Sequence, residues 1–266
     1  VYAQFIQGSY CELRYAGNTK LQTSTTGIDV TGEVAASQDY PNQRPALDFN
    51  FAQEKVLDPR LMFARDGEGS YYDEFGLVRL AGRNEPRFDH DPVTRESKGL
   101  LMEETRTNYF TYGTTPGDVW SSSKSGTFEE YTTETAAPDG TFTATKVTVG
   151  GENWTRWDGS NGLDLVGVNF TDTFSTSVYM KTVGTSNMNV GMDFGDSGNK
   201  TFSVWQEWKR YPISNVHTNY GGSTKFIDIV FDGNVYIWGL QCENGKFPTS
   251  YIPTTGRTQT RGQDFV

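Results

Sequence analysis

Apolar and polar residues alternate with period two along most of this chain, in short runs. The clearest run is NMNVGMDF (187–194): Met188, Val190, Met192 and Phe194 fall on one side and Asn187, Asn189, Gly191 and Asp193 on the other. Such alternation predicts a strand with one buried face. FTATKVTV (142–149), FSTSVYMKT (174–182), KRYPI (209–213), KFIDIVF (225–231) and NVYIWGLQ (234–241) predict further strands, parted by Gly, Asn, Asp and Ser turns. No segment carries a 3.6-residue period long enough for a helix of ordinary length. Evenly spaced short strands predict a sandwich or jelly roll, placed at 111–255.

The preceding residues alternate in a different way. In CELRYAGNTKLQTSTTGIDVTGEV (11–34), Cys11, Leu13 and Tyr15 alternate with Glu12 and Arg14, Gly17-Asn18 forms a hairpin turn, and Gly27 and Gly32 bracket Ile28-Asp29-Val30. These strands hold too few apolar residues to bury a core alone. They predict the end of a β-shaft that gains stability from copies of itself in a homotrimer. Residues 35–45 form a linker, because Pro41 and Pro45 forbid a regular ladder. LDFNF (47–51), with Leu47, Phe49 and Phe51 on one face, predicts a half-buried strand, and LMFAR (61–65) another. The whole is all-β: a shaft end and linker over 1–45, an extended strap or collar over 46–110, the jelly roll over 111–255 and a C-terminal extension over 256–266.

Composition fits this pattern. Only 35 % of the 266 residues are hydrophobic, as strands with one wet face would require, and 29 glycines supply turns. The net charge of −10 argues against a nucleic-acid partner, which needs a basic footprint. No run of about 18 apolar residues predicts a membrane-spanning helix. The first residues, VYAQFIQGSY, have neither the basic start nor the apolar core of a signal peptide, and the chain reads as a fragment of something longer. Cys11 and Cys242 are too few for a disulfide framework or metal knuckle and are expected reduced.

The densest charge lies in PRFDHDPVTRESKGLLMEETRTNYF (86–110). Two chemical readings compete with a structural one. Glu103 and Glu104 resemble an acid–base pair, but neighbours on an extended chain point to opposite faces and cannot flank one bond. Asp89, His90 and Asp91 carry metal-ligating groups, but three consecutive strand residues cannot converge on one ion. The favoured reading is structural: Arg87, Arg106, Asp89, Asp91, Glu103 and Glu104 form cross-strand or intersubunit ion pairs that fix the strap's register. With only two histidines and no Ser-His-Asp spacing or phosphate loop, no enzyme is predicted.

LDFNFAQEKVLDPRLMFAR, DEFG and NEPRFDHDPVTRESKGLLMEETRTNYF together resemble structural proteins of tailed bacteriophages. In that family a similar stretch precedes a jelly roll like those of carbohydrate-binding modules, and IWGLQCENGKFPTSYIPTTG (237–256) resembles the family's closing motif. APDGTFTATKV resembles its first jelly-roll strand, FSTSVYMKT resembles another of its strands, and LRYAGNTKLQTSTTGIDVTGEV resembles tail-fibre strand repeats. The family usually has a small residue where this chain has Arg95 and Lys98, which leaves the type of that turn open.

The resemblance implies a virion structural protein, a tail fibre or tail appendage on the particle exterior. It would display a lectin-like jelly roll to a bacterial surface polysaccharide and contact other virion proteins. Alternatives are a structural adaptor or capsid decoration protein without glycan binding, and a depolymerising tailspike. Sugar modules stack pyranose rings on exposed aromatics. The candidate contacts are Trp154 and Trp157 in GGENWTRWDGSNG, with Arg156 and Asp158 beside them in a turn-like stretch. Trp120, Trp208 and Trp238 read as core, and His217 as an exposed loop residue. No cofactor is expected beyond a structural calcium at Asp139, which matches an early loop where related jelly rolls hold one. Pro138-Asp139-Gly140 is also a turn sequence in its own right.

Overall fold

The computed structural model describes residues 2–5, 10–25, 27–31, 49–115, 121–122, 126–149, 155–158, 173–184, 188–194, 200–217, 227–231 and 233–266. The chain divides into two compact units, Val1–Asp48 and Phe49–Val266.

The first unit is a four-stranded antiparallel meander of β1 (Tyr2–Phe5), β2 (Cys11–Tyr15), β3 (Asn18–Ser24) and β4 (Gly27–Val30). The β2–β3 turn is Ala16-Gly17, one residue earlier than the sequence predicts. Both residues have positive φ, 50° and 83°, and Tyr15 pairs with Asn18. That is the two-residue turn whose twist matches the strands it joins. Ala3, Leu13, Leu21 and Val30 are successive cross-strand partners, so they form one apolar row across all four strands. Leu13 and Val30 in that row are exposed within the single chain.

In the second unit, the strap carries two hairpins, β5 (Gly69–Tyr72) with β6 (Val78–Ala81) and β7 (Phe88–His90) with β8 (Ser97–Leu100), followed by β9 (Arg106–Asn108). Then come β10 (Ser121–Ser122), β11 (Thr127–Glu129), β12 (Thr145–Thr148), β13 (Thr155–Asp158), β14 (Thr173–Thr182), β15 (Met188–Phe194), β16 (Lys200–Val204), β17 (Lys209–His217), β18 (Ile227–Phe231), β19 (Val235–Asn244) and β20 (Gln259–Arg261). One sheet runs β11-β12-β19-β14-β17 and the other β10-β13-β18-β15-β16. Numbered in chain order from β12, the first sheet takes the first, eighth, third and sixth strands, and the second takes the second, seventh, fourth and fifth. That interleaved antiparallel order defines a jelly roll, so the all-β jelly-roll sandwich expected from the sequence is the fold observed. Pro212 sits in β17, an edge strand, where its missing N–H breaks no ladder.

The core between the sheets holds Val147, Phe174, Val178, Met180, Ile213, Val235, Ile237, Leu240 and Cys242 from the first sheet and Val190 and Val204 from the second. Gly239, at φ 65°, breaks the alternation of β19 so that Ile237 and Leu240 both face this core. The two-sided burial of β14 and β19 departs from the half-wet strands predicted. The reverse face of their sheet packs Tyr179 and Trp238 against Val78 of the strap and against Ala137, Ala144 and Tyr251. The strap is thus a third layer over one sheet.

Three local expectations need correction. Of the strand expected over 47–51, residues 49–51 are described and are not strand. Phe51–Glu54 form one helical turn, because the Asn50 carbonyl accepts the N–H groups of Gln53 and Glu54. Phe51 instead turns its ring to Phe49 and Phe88. LMFAR forms no strand beyond a single bridge from Ala64 to Phe265. Thr155–Asp158, predicted as turn, is a strand between β10 and β18, since two flanking strands supply its ladder partners. Beyond these, His217 ends β17 rather than lying in a loop.

The open turn at Arg95 is now defined. Arg95 has φ 68°, the left-handed conformation that glycine adopts at no steric cost. The loop is held by the N–H groups of Val93 and Thr94 donating to Asp91 Oδ1, both at 2.9 Å.

Candidate functional site

The charged stretch resolves into a clamp whose partners come mostly from the end of the chain. Glu103 accepts the Ser250 N–H at 2.7 Å, the Ser250 hydroxyl at 2.6 Å and Arg87 Nη1 at 2.7 Å, and Arg261 Nη1 lies 3.0 Å away. Asp264 accepts Arg65, Arg87 and the Glu103 N–H. Arg65, Arg87, Arg261 and Asp264 have no exposed side-chain surface. Arg261 also donates to Thr249 Oγ1, which itself donates to Glu243. Three guanidinium groups thereby meet two carboxylates directly and a third, Glu243, through the Thr249 hydroxyl, and such pairing is what burying them requires. Gly69 makes room for the cluster: a Cβ there would lie 3.2 Å from the side chains of Arg65, Arg87 and Arg261. Burial pushes the Glu103 carboxyl up, but Arg261, Arg87 and the Ser250 donors outweigh it and hold the group below its ordinary range.

These partners correct the picture of a metal or acid–base site. Glu103 is bound on both oxygens, and Glu104 is exposed and pairs with Arg106 two residues on. Asp89 accepts the Tyr72 N–H, His90 Nδ1 meets the Tyr72 carbonyl, and Asp91 caps its own turn and pairs with Lys98. The ion pairs that fix the strap lie within one chain.

The two motif-bearing stretches also join directly. Asn108 donates to the carbonyls of Leu240 and Ile252 and accepts the N–H groups of Phe110 and Cys242. Gln241 donates to the Thr249 and Ser250 carbonyls and accepts the Ile252 N–H. Polar residues on the reverse face of β19 thereby shape the loop that supplies Ser250 to Glu103.

Of the sugar-contact candidates, Arg156, Trp157 and Asp158 lie on β13, with Trp157 paired to Ser122 and Ile229, while Trp154 lies outside the described residues. Asp139 belongs to a separate turn and accepts both the N–H and the hydroxyl of Thr141. Among the described residues no group of three or more His, Cys, Asp or Glu side chains is placed to hold a metal. Trp238 is buried, Trp208 is half-buried with Nε1 donating to the Ala136 carbonyl, and Trp120 lies outside the described residues. Trp205, which the sequence did not single out, is exposed with Lys209 Nζ 4.5 Å over its ring.

The sequence also missed a half-open cavity of about 230 Å³ where strap, sheet and the 247–251 loop meet. Tyr71, Tyr72 and Asp89 line it from the strap, Tyr179 and Arg210 from the sheet, and Phe247 from the loop. The Tyr72 and Tyr179 hydroxyls are hydrogen-bonded at 2.8 Å. Arg210 donates through Nε to Ser177 and through Nη1 to the Thr249 carbonyl, with its guanidinium 5.5 Å from the Tyr179 ring centre. Burial lifts the Asp89 carboxyl above its ordinary value, against the pull of the Tyr72 N–H and Lys98.

Strand order and site together define a jelly-roll sandwich with a clamped strap. No family model matches the chain. No curated protein matches it either. Among solved structures it is similar to the CBM22-1 xylan-binding domain of Paenibacillus barcinonensis Xyn10C, with 17 % identity over 53 % of this chain and 93 % of that one, TM-score 0.38. A second xylan-binding domain of family CBM 22 shares 14 % identity over 53 % of this chain and 97 % of its own, TM-score 0.41. The enzymatically active domain of bacteriophage CBA120 tailspike protein 4 shares 12 % identity over 52 % of this chain and 21 % of its own, TM-score 0.36.

Proposed function

We propose that this chain is an exterior structural protein of a tailed-phage particle, a tail fibre or tail appendage, that holds out a jelly roll for non-covalent recognition of a bacterial surface glycan. The observation that carries the reading is the clamp. The two stretches that resemble the phage structural proteins are one another's partners, through Glu103 with Ser250 and Asn108 with Leu240, Cys242 and Ile252. Their charges build a rigid mount, and Glu103 is engaged on both oxygens instead of poised to transfer a proton. Recognition in place of cleavage is what such a mount serves.

The N-terminal unit favours a homotrimer. Its apolar row through Leu13 and Val30 is exposed in one chain, and matching rows from two further copies would cover it. Three copies display three jelly rolls, so weak sites act together. The segment 154–158, whose Arg156, Trp157 and Asp158 lie on β13, remains the proposed glycan contact.

The test is binding of the purified chain to host cells and to an array of bacterial glycans, beside a folded Trp154→Ala/Trp157→Ala variant, with sedimentation to give the assembly state. Wild-type binding that the variant loses supports the reading. No wild-type binding transfers the protein to an adaptor or decoration role, and reducing ends released from host polysaccharide would make it a depolymerase.

A further inference from the structure

We propose that the cavity between strap, sheet and the 247–251 loop is a second binding site, one that accepts a single uncharged sugar ring. Its ligand class rests on the glycan-recognition reading above; its location does not depend on β13.

Size is the first argument. A cavity of about 150 Å³ is enough to take up benzene, so about 230 Å³ has room for one six-membered sugar ring.

The lining chemistry is the second. A sugar hydroxyl both donates and accepts, so a site for one needs acceptors and donors side by side. Asp89 supplies the acceptor: the amides of Tyr72 and His90 engage part of a carboxylate that has about four acceptor positions. Arg210 lines the wall without offering the ligand a donor: its Nε and Nη1 are bound within the protein and Nη2 is shielded from solvent. The linked phenols of Tyr72 and Tyr179 share one proton between their oxygens, which leaves the other O–H to donate outward. Tyr71 and the exposed ring of Phe247 at the rim offer apolar surface for the C–H side of a pyranose.

Charge selects among sugars. Glu103, also in the wall, is matched by Arg87 and Arg261, so the carboxylate that a charged sugar would meet is Asp89, with Arg210 as the cation there. A uronic or sialic acid would bring a further negative charge to this wall, whereas a neutral hexose would not.

The experiment is ligand-observed saturation-transfer NMR on the intact chain. The probes are methyl glycosides of glucose, galactose, mannose and rhamnose, with methyl glucuronoside as the charged counterpart. Transfer to at least one neutral glycoside and none to the glucuronoside is expected. Asp89→Asn, which keeps an oxygen for the Tyr72 N–H, should weaken the response about tenfold or more, and Trp205→Ala, at an exposed ring that does not line the cavity, should leave it intact. Tyr71→Ala, at a half-buried position, is the second variant, and thermal melting confirms that each is folded. No transfer to any neutral glycoside, or transfer undiminished in both cavity variants, overturns the proposal. If Trp157→Ala removes the signal and the cavity variants do not, the sugar sits on β13: this inference fails and the glycan reading stands. If neutral glycosides fail while host-cell binding persists, again only the cavity proposal is lost.

Discussion

Arg87 and Asp264 lie 177 positions apart and meet as an ion pair with no exposed side-chain surface on either residue. Asp264→Asn weakens, and Asp264→Ala removes, the acceptor for both Arg87 and Arg65. Removing one partner of a buried pair leaves uncompensated charge and costs about 3–5 kcal/mol. Urea unfolding should show a loss of that size for Asp264→Ala. Glu74→Gln, which breaks only the exposed contact with Lys55, should change stability by less than about 1 kcal/mol.

A methyl group at Gly69 would press on three arginine side chains at 3.2 Å, tighter than ordinary contact. Gly69→Ala should cost about 1–3 kcal/mol, since all three side chains are pinned by carboxylates and cannot swing aside. Denaturant midpoints of Gly69→Ala and Gly27→Ala, the latter open around its Cβ position, provide the comparison. Equal midpoint shifts would refute the packing account.

Asn108 satisfies four backbone groups that join β9 to β19 and to the 252 segment. Asn108→Ala leaves them unpaired inside the protein, at a cost of about 2–4 kcal/mol. Hydrogen exchange should report this locally, with faster exchange at the Cys242 and Phe110 amides than at amides of β15.

Two carboxylates predict opposite responses to pH. Glu103 is held below its ordinary value of 4.5 in the fold, so its stabilisation is complete above that value and is lost as pH falls through the lowered folded value. Asp89 is raised above its ordinary 3.8, so its ionisation opposes folding at neutral pH and the penalty fades as pH falls through the raised value. Melting temperature measured from pH 7 to 3 should therefore fall less steeply at the acid end in Glu103→Gln. Asp89→Asn should melt no lower than wild type at pH 7. A lower melting temperature for Asp89→Asn would contradict this account of its burial.

What was legible in the sequence follows from range. Met188 to Phe194 announced β15 because a period of two is a local signal, and the 234–241 run announced β19 in the same way. Thr155–Asp158 did not, because glycine and asparagine around a four-residue strand look like a turn until β10 and β18 are in place. The charges of 86–110 were legible as structural, but their partners were not. Nothing local to Arg87 or Glu103 points to Ser250, Arg261 or Asp264, and the sequence treated residues 256–266 as an extension. The cavity was invisible for the same reason, since Tyr71, Asp89, Arg210 and Phe247 converge from separate segments. Arg95 shows a further case: the residue stood out in the sequence, but its left-handed backbone was visible only in the fold.

The clamp also sets an order of events during synthesis. Asp264 completes bonds to Glu103 and Arg65, which precede it by 161 and 199 residues. At about 5–20 residues per second, translation separates these partners by roughly ten to forty seconds. Through that interval the strap has emerged without its last counter-charges. Closure of the clamp is thus a late step, timed by the ribosome.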